Sequence, residues 1–272
     1  MSPVISVIIP SYKPGSYLDT CLSSLGSQTM PHSMFEVLIV LNGEKEPWYS
    51  RLKAKADYVN SKHGIKCSVF YSEKANVSNA RNVGISFAKG DYICFIDDDD
   101  YVSPTYLQAL FDKASENTVP LCRPYAFVDG NEEIELPYRI KDDWDRYHNH
   151  GPLPFYIPKR FFDGPCMKII HKNIIADRRF DERFKNGEDS MFMFLISDRI
   201  KYADFTDSDA VYYRRCRNGS AQSLLKTWYK RPLVIWNKIR MYTKYYFKSP
   251  THYSLRFFCS RLTGNIGTLI NG

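Results

Sequence analysis

Short apolar runs alternate with amphipathic segments over the first hundred residues of the chain. The runs are too short for typical helices and rich in β-branched and aromatic residues, so they predict buried strands at 4–9, 37–41, 66–71 and 92–96. Apolar residues recur at helical spacing between them, which predicts helices at 17–25, 46–61 and 78–89. Continuous apolar strands that alternate with helices are typical of an α/β fold with a mostly parallel sheet.

Four consecutive aspartates, Asp97 to Asp100, follow the fourth predicted strand without a spacer. Because an isolated buried carboxylate is very costly, we expect this run at the carboxyl end of the strand, in water or around a cation. Ligands of open α/β sheets bind at that edge. A solvated acidic loop is the alternative, but the abrupt junction favours a site for Mg²⁺, Mn²⁺ or Ca²⁺, which prefer oxygen ligands.

The pattern is less continuous after residue 103. It predicts a helix to about residue 115, a strand-like segment at 119–128 and regular structure again at 167–175. Residues 129–165 are predicted to be irregular, and a loop of that length suggests a lid over a pocket. The spacing of His148 and His150 would suit two metal ligands, but surface histidines are the commoner case.

Two adjacent acids, Glu188 and Asp189, follow Gly187 and precede an apolar helix predicted at 191–196. Acids at a helix N-terminus stabilise the helix dipole, so spacing alone favours a simple cap. The functional alternative is a general base that is held in place by the helix behind it.

Length and composition limit the class of protein. The 272 residues are 44% hydrophobic, enough for a substantial core, and no apolar stretch approaches the roughly 20 residues of a membrane span. The first residues lack the basic and long apolar regions of a signal peptide, so we expect a cytoplasmic protein. Seven scattered cysteines without CxxC spacing suit reduced thiols rather than disulfides or a zinc site.

The basic charge of the chain lies in its last third. Twelve of the 37 Lys and Arg residues follow Asp209 and none of the 30 acids does, so the tail carries +12 and residues 1–209 carry −5. A helix is predicted from Pro232, with Ile235 and Tyr242 on one face and Arg240 and Lys244 opposite. Residues 224–262 are therefore predicted either to contact an anionic membrane surface or to cover the core with their apolar face. No recognised nucleic-acid-binding motif accompanies this composition.

Six segments in order resemble one family, inverting GT-A glycosyltransferases of family 2, over roughly residues 4–225. They are SVIIPSY with the LSSLGSQT helix, FEVLIVLNG, ANVSNARNVGISFAKGDYICFIDDDD, CMKIIHKN, RFDERFKNGED and YYRRCRNGS. The resemblance implies a nucleotide-diphospho-sugar transferase fold, a Rossmann-like, mostly parallel sheet flanked by helices. It divides the chain into a catalytic domain at 1–222, with a nucleotide-binding half at 1–103 and an acceptor-binding half at 104–222, and a basic aromatic helical extension at 223–272.

The resemblance also implies roles for individual residues. Donor-binding positions are Pro10, Ser11, Tyr12, Asn42, Arg81, Asp97 and Asp98. Asp97 and Asp99 would hold Mn²⁺ or Mg²⁺ at the diphosphate, and Asp189 would be the general base. Positions near the acceptor or diphosphate are Lys168, Glu188, Arg217 and Ser220. Without the family pattern, Arg81 would be interpreted as a helix-surface arginine and Lys168 as a solvated lysine, and residues 212–215 could equally be an edge strand.

The implied function is metal-dependent, inverting transfer of a sugar from a nucleoside-diphosphate sugar to a hydroxyl of a growing, lipid-linked cell-surface glycan. A UDP-sugar is the preferred donor, although Leu41-Asn42 replaces two acids usual in the family and leaves the nucleotide open. The rival predictions are an inactive nucleotide-binding or membrane-surface scaffold, and a sugar nucleotidyltransferase. The second should carry a Gly-rich phosphate loop, which residues 11–16 do not resemble. The oligomeric state is not predicted.

Overall fold

A five-stranded sheet lies at the centre of the fold in a computed structural model that describes residues 2–184, 186–207, 209–217 and 231–270. Its strands, in spatial order, are β10 (Ile169–His171), β4 (Tyr92–Phe95), β1 (Ile5–Ser11), β2 (Phe35–Asn42) and β3 (Lys66–Ser72). β4, β1, β2 and β3 run parallel, and only β10 is antiparallel to its neighbour. The four predicted strands and their parallel arrangement are confirmed.

The central strands are buried on both faces, which explains their unbroken apolar sequences. Every residue of β1 and β2 is buried. The helices that connect the first four strands are α1 (Tyr17–Gly26), α2 (Trp48–His63) and α3 (Val77–Phe87). At Gly84, α3 approaches β1 so closely that a Cβ would lie 2.4 Å from Ile8 Cγ2. Glycine therefore allows α3 to lie directly against the sheet.

Two smaller sheets form the second half of the fold. One contains β6 (Thr118–Leu121), β11 (Tyr202–Phe205) and β9 (Leu153–Pro154), and the other β5 (Tyr101–Val102), β12 (Val211–Cys216), β7 (Arg123–Val128) and β8 (Asn131–Glu135). The strand-like segment predicted at 119–128 is confirmed as extended structure, but it forms two strands, β6 and β7, because the chain changes sheets at Cys122. The edge-strand interpretation of 212–215 is wrong, since β12 pairs with β5 and β7.

The irregular loop predicted at 129–165 is also wrong. Besides β8 and β9, this segment contains α5 (Arg139–Tyr147) and a 3₁₀ helix at Lys159–Asp163. Trp144, Phe161 and Phe162 are buried, so aromatic packing fixes this segment on the core, and it is not the irregular loop that suggested a lid. His148 stacks on Trp144 with its Nδ1 2.8 Å from the Trp144 carbonyl oxygen, an arrangement that serves packing.

The remaining helices cover the second half and the tail. They are α4 (Tyr106–Lys113), α6 (Lys172–Ile175), α7 (Glu188–Ile196), α8 (Arg231–Lys248) and α9 (Leu255–Ile270). Ile235 and Tyr242 of α8 are buried, and the Tyr242 ring meets Phe194 of α7 edge-on at 5.0 Å. The core-covering interpretation of the tail is therefore correct for this face. No helix in the described ranges is long and apolar enough to cross a membrane. The predicted domain boundary after residue 222 lies outside the described residues.

Candidate active site

The carboxyl ends of β1, β2 and β4 meet at one edge of the central sheet and are joined there by polar side chains. Asn42 Nδ2 donates a hydrogen bond to the carbonyl oxygen of Ser11 at 2.7 Å, and the Ser11 hydroxyl donates to Asp98 Oδ2 at 2.6 Å. Tyr12 is exposed beside them, whereas Pro10 is buried within β1. The structure thus brings together the segments predicted to bind the nucleotide, and Asn42 serves to hold the end of β1.

The four aspartates after β4 have four different surroundings. Asp97 faces Arg81, Asp98 accepts the bond from Ser11, and Asp99 lies 2.5 Å from Arg217 Nη2. Burial raises the pKa of Asp98 to about 7, despite the opposing effect of the Ser11 hydroxyl. Burial and then the charge of Asp97 raise the pKa of Asp99, which Arg217 partly offsets.

Asp100 departs from the expectation that all four acids face water or a cation. Its side chain is buried and accepts hydrogen bonds from the Tyr212 hydroxyl and the Arg215 backbone N–H, each at 2.8 Å. Burial raises the pKa of Asp100 well above its ordinary value, and the charge of Asp97 adds to this. The last aspartate of the run therefore ties the active-site loop to β12, and it also lines the first cavity described below.

Arg81 joins the two acidic parts of the site. Its Nη1 donates to Asp189 Oδ1 at 2.6 Å and its Nη2 to Asp97 Oδ1 at 3.1 Å. The side chain is only 4% exposed, so the interpretation as a helix-surface arginine is wrong. Burial works against its charge, but Asp189 and Asp97 together raise the pKa of Arg81. A permanently charged guanidinium therefore lies between the two carboxylates.

Asp189 and Glu188 form the first turn of α7, after Gly187 in the left-handed conformation (φ 82°). The Asp189 side chain is 32% exposed and lines two cavities, and burial raises its pKa although Arg81 lowers it. Glu188 is buried, and its Oε2 has no hydrogen-bond partner among the described residues. The helix N-terminus thus positions two carboxylates, as the cap interpretation requires, while both remain next to open space.

Lys168 is buried beneath the loop that precedes it, so the interpretation as a solvated lysine is wrong. Its Nζ donates to the carbonyl oxygens of Gly164 at 2.7 Å and Cys166 at 2.5 Å. Burial lowers the pKa of Lys168 to about 8. The ammonium group therefore fixes residues 164–167, and its predicted proximity to acceptor or diphosphate remains a prediction.

A cavity of about 330 Å³, the first cavity, connects these groups. Asp97 and Asp189 line it together with residues 164–167 and Phe161. Tyr138 and Arg214 also line it, with the Arg214 guanidinium 5.0 Å from the centre of the Tyr138 ring. No site role was predicted for Tyr138, Arg214 or residues 164–166. They come from separate segments with no shared motif, so their convergence follows only from the fold.

The chain matches the family described as Glycosyl transferase family 2 over residues 6–179. It belongs to this family. Glycosyltransferase EpsJ of Bacillus subtilis is 33% identical over 75% of this chain and 60% of its own length. GgaB of the same organism, a minor teichoic acid biosynthesis protein, is 28% identical over 86% of this chain and 26% of its own length.

Solved structures show the same fold. The structure of Staphylococcus aureus TarS 1-349 with UDP-GlcNAc superposes with a TM-score of 0.64 at 19% identity, over 86% of this chain and 66% of that one. The predicted GT-A fold is thus confirmed, and the family identifies this glycosyltransferase as an enzyme. The chain spans less than two thirds of the length of EpsJ and of GgaB.

The carboxylates of this glycosyltransferase suit a hard divalent cation whose other ligands come from the substrate and water. Within the described ranges, no three His, Cys, Asp or Glu side chains cluster as a complete metal site. Asp97 and Asp99 nevertheless place two partly exposed carboxylates at the ligand edge, and like-charge repulsion with Asp97 helps to raise the pKa of Asp99. Mg²⁺ sites commonly use one or two carboxylates, with substrate phosphates and water as the other ligands. The residues fit such a shared site.

Arg217 is the last residue described before residues 218–230. Its guanidinium lies over the Tyr17 ring at 5.3 Å and pairs with Asp99, so it stands at the same edge as the predicted metal ligands. Ser220, predicted beside it, lies outside the described residues. The predicted roles of both residues stay predictions.

Proposed function

We propose that this glycosyltransferase moves a sugar, with inversion, from a UDP-sugar to a hydroxyl group of a growing, lipid-linked cell-surface glycan. One observation carries the proposal: Arg81 bonds both Asp97 at the sheet edge and Asp189, and these two carboxylates line the first cavity together. A donor diphosphate near Asp97 and an acceptor hydroxyl near Asp189 would therefore share one space. TarS is named poly(ribitol-phosphate) β-N-acetylglucosaminyltransferase, and its solved structures include complexes with UDP and UDP-GlcNAc. This similarity supports a UDP-sugar donor.

Asp189 would accept the proton of the attacking hydroxyl. Burial raises the pKa of this carboxyl, which makes it a better base than an exposed aspartate, and the Arg81 charge keeps it ionised. The acceptor oxygen forms a bond to the anomeric carbon as the bond to the diphosphate oxygen breaks. Attack from the side opposite the leaving group inverts the anomeric centre, so one base is sufficient.

Asp97 and Asp99 would hold Mn²⁺ or Mg²⁺ through carboxylate oxygens. Such a cation, when bound, offsets negative charge on a leaving diphosphate. Arg217 now occupies the outer side of Asp99, so we infer that its guanidinium releases this carboxylate when the donor binds and then faces the phosphates. Ser11 and Asn42 would shape the nucleoside side of the pocket, with Tyr12 at its rim.

The outer face of α8 would place the enzyme at a membrane surface, on the cytoplasmic side. Leu233, Trp236 and Phe247 are each about two thirds exposed, and Arg240 and Lys244 lie on the same face. Exposed aromatic and basic residues on one helix face suit the headgroup region of an anionic bilayer. A lipid-linked acceptor would then be presented to the enzyme at that surface.

A turnover assay tests the proposed transfer. UDP-GlcNAc, UDP-Glc, GDP-Man and dTDP-Glc are each incubated with the enzyme, Mn²⁺ and lipid-linked glycan acceptors, and release of the nucleoside diphosphate is measured with and without EDTA. We expect release from a UDP-sugar that EDTA abolishes and that the Asp99→Asn variant lacks. The exposed Asp112→Asn variant on α4 is the matched control and should retain release. Binding without release from any donor would support a scaffold and contradict the proposal.

A further inference from the structure

A second cavity of about 770 Å³, the tail-side cavity, opens on the other side of Asp189. Residues 186–190 form one wall, and α8 and α9 form another through Lys238, Tyr242 and residues 260–265. Arg139, Asp163 and Asp189 line both cavities. A molecule in the tail-side cavity can therefore reach the predicted base from the side away from the sheet edge.

The tail-side cavity has more cationic than anionic side chains on its walls. Arg160 pairs with Asp142 and Asp143, and Arg261 pairs with Asp163, so these two are neutralised within the protein. Lys238, Arg139 and Lys159 also line the cavity, and none of these three forms an ion pair with a residue of the described ranges. Among the described residues, the cavity thus has three cations outside ion pairs, although Glu188, Asp163 and Asp189 lie close enough to Lys238 to act on its charge.

Lys238 is placed at this cavity by close packing. Its side chain crosses Gly187 so closely that a Cβ there would lie 1.8 Å from Lys238 Cε. Burial lowers the pKa of Lys238, while the nearby Glu188 opposes this shift. The amine therefore lies at the N-terminus of α7, where the helix dipole also favours an anion.

Glu188 gives the cavity a second, different group. Its carboxylate is more than nine-tenths buried at the cavity wall, and its Oε2 has no hydrogen-bond partner within the described part of the chain. A buried acceptor without a donor costs free energy unless a ligand supplies one. A hydroxyl group of the ligand would satisfy this oxygen.

We propose that the tail-side cavity binds the acceptor and that this acceptor carries a phosphate group next to its hydroxyls. Lys238, Arg139 and Lys159 bind the phosphate, Glu188 accepts a bond from one hydroxyl, and a neighbouring hydroxyl reaches Asp189. The proposal rests on the proposed sugar transfer, which supplies the need for an acceptor. It gives the C-terminal helices a binding role in addition to covering the core.

Calorimetry with defined probes tests the proposal on the full chain saturated with UDP and Mn²⁺, so that the donor side is filled. The probes are a glycerol-phosphate trimer, neutral maltotriose, trigalacturonic acid as a carboxylate, and monomeric dodecyl phosphate as a lipid phosphate. We expect one or both phosphate probes to bind and the other two to bind at least about tenfold more weakly. Preference for the trimer would assign the phosphate to the glycan chain, and preference for dodecyl phosphate would assign it to the lipid. Equal binding of maltotriose or trigalacturonic acid would overturn the phosphate assignment.

Charge reversal locates the binding. Lys238→Glu, and independently the exposed Lys159→Glu, should each weaken phosphate-probe binding about tenfold or more. Lys53→Glu makes the same charge change on the exposed face of α2 and should leave the affinity unchanged. Unchanged affinity in both cavity variants would overturn the proposal. UDP is titrated into each protein before the probes are added. Failure of the parent to bind UDP would count against the proposed function, whereas UDP binding without phosphate-probe binding would count against this inference alone.

Discussion

Asp189 Oδ1 accepts a 2.6 Å hydrogen bond from Nη1 of Arg81, an arginine 108 positions earlier in the chain. Because the other Arg81 nitrogen bonds Asp97, the predicted base and the acidic sheet edge share one guanidinium. A single side chain therefore sets both the position and the charge of the base relative to the donor side. This arrangement leads to separate predictions for the base and for its partner.

Replacing the base should remove transfer without removing donor binding. Asp189→Asn keeps the size of the side chain but cannot accept the proton, so we expect kcat to fall by about 100-fold or more. UDP affinity should change little, because Asp189 lies on the acceptor side of Arg81. Steady-state kinetics and calorimetry measure the two effects, with exposed Asp112→Asn as the control. Retention of parental kcat would show that another group takes the proton.

The pH profile should report the environment of Asp189. Burial raises the pKa of this carboxyl, so kcat/KM should fall on the acid side at a pH above that of an ordinary aspartate, as the base becomes protonated. Arg81 lowers the same pKa, and Arg81→Gln should therefore move this acid limb to still higher pH. If the acid side of the kcat/KM profile falls at the same pH in Arg81→Gln as in the parent, the Arg81–Asp189 pair does not control the pH dependence.

The sequence predicted the parts of the site that lie directly at strand and helix ends. The acids after β4 were recognisable because an apolar strand next to carboxylates has few solutions, whereas for the pair in the first turn of α7 spacing alone favoured a simple cap. Asp100 was not distinguishable from Asp97 to Asp99, since its partner Tyr212 lies 112 positions away. The burial of Lys168 likewise depends on carbonyl groups that point inward only once residues 164–166 are folded.

Residues 129–165 show a second reason why a prediction from the sequence failed. Apolar residues alternate at 134, 136, 138 and 140 and then recur at helical spacing at 140, 144 and 147, so a strand period and a helix period overlap and neither extends far. The burial of Trp144, Phe161 and Phe162 fixes the segment through contacts with distant elements, among them the 5.6 Å edge-on contact of Trp144 with Phe205. Tertiary packing, rather than local periodicity, decides the structure of this segment.

Lys168 should make stability depend on pH above neutrality. Its pKa is about 8 in the folded protein against 10.5 when solvated, so the unfolded chain binds more protons between these values. Unfolding free energy should therefore rise with pH from about 8 to 10.5 by roughly 3 kcal/mol relative to Lys168→Met. Urea unfolding of both proteins across this range measures the difference, with Lys53→Met as the control. Parallel pH profiles for parent and Lys168→Met would contradict the assignment.

The outer face of α8 should bind anionic membranes through its aromatic residues. Trp236 and Phe247 are 65% and 68% exposed, so replacing both by serine removes little folded-state packing but much of the surface that could enter a bilayer interface. Vesicle co-sedimentation should show partition falling about tenfold or more, since burying one such side chain contributes roughly 1.5–3 kcal/mol. Tyr58→Ser removes a comparably exposed aromatic residue from α2 and should not change partition. Binding of the parent should also require phosphatidylglycerol, because Arg240 and Lys244 need an anionic surface. Equal partition into pure phosphatidylcholine would mean that only the apolar residues contribute, and it would contradict a role for the basic residues.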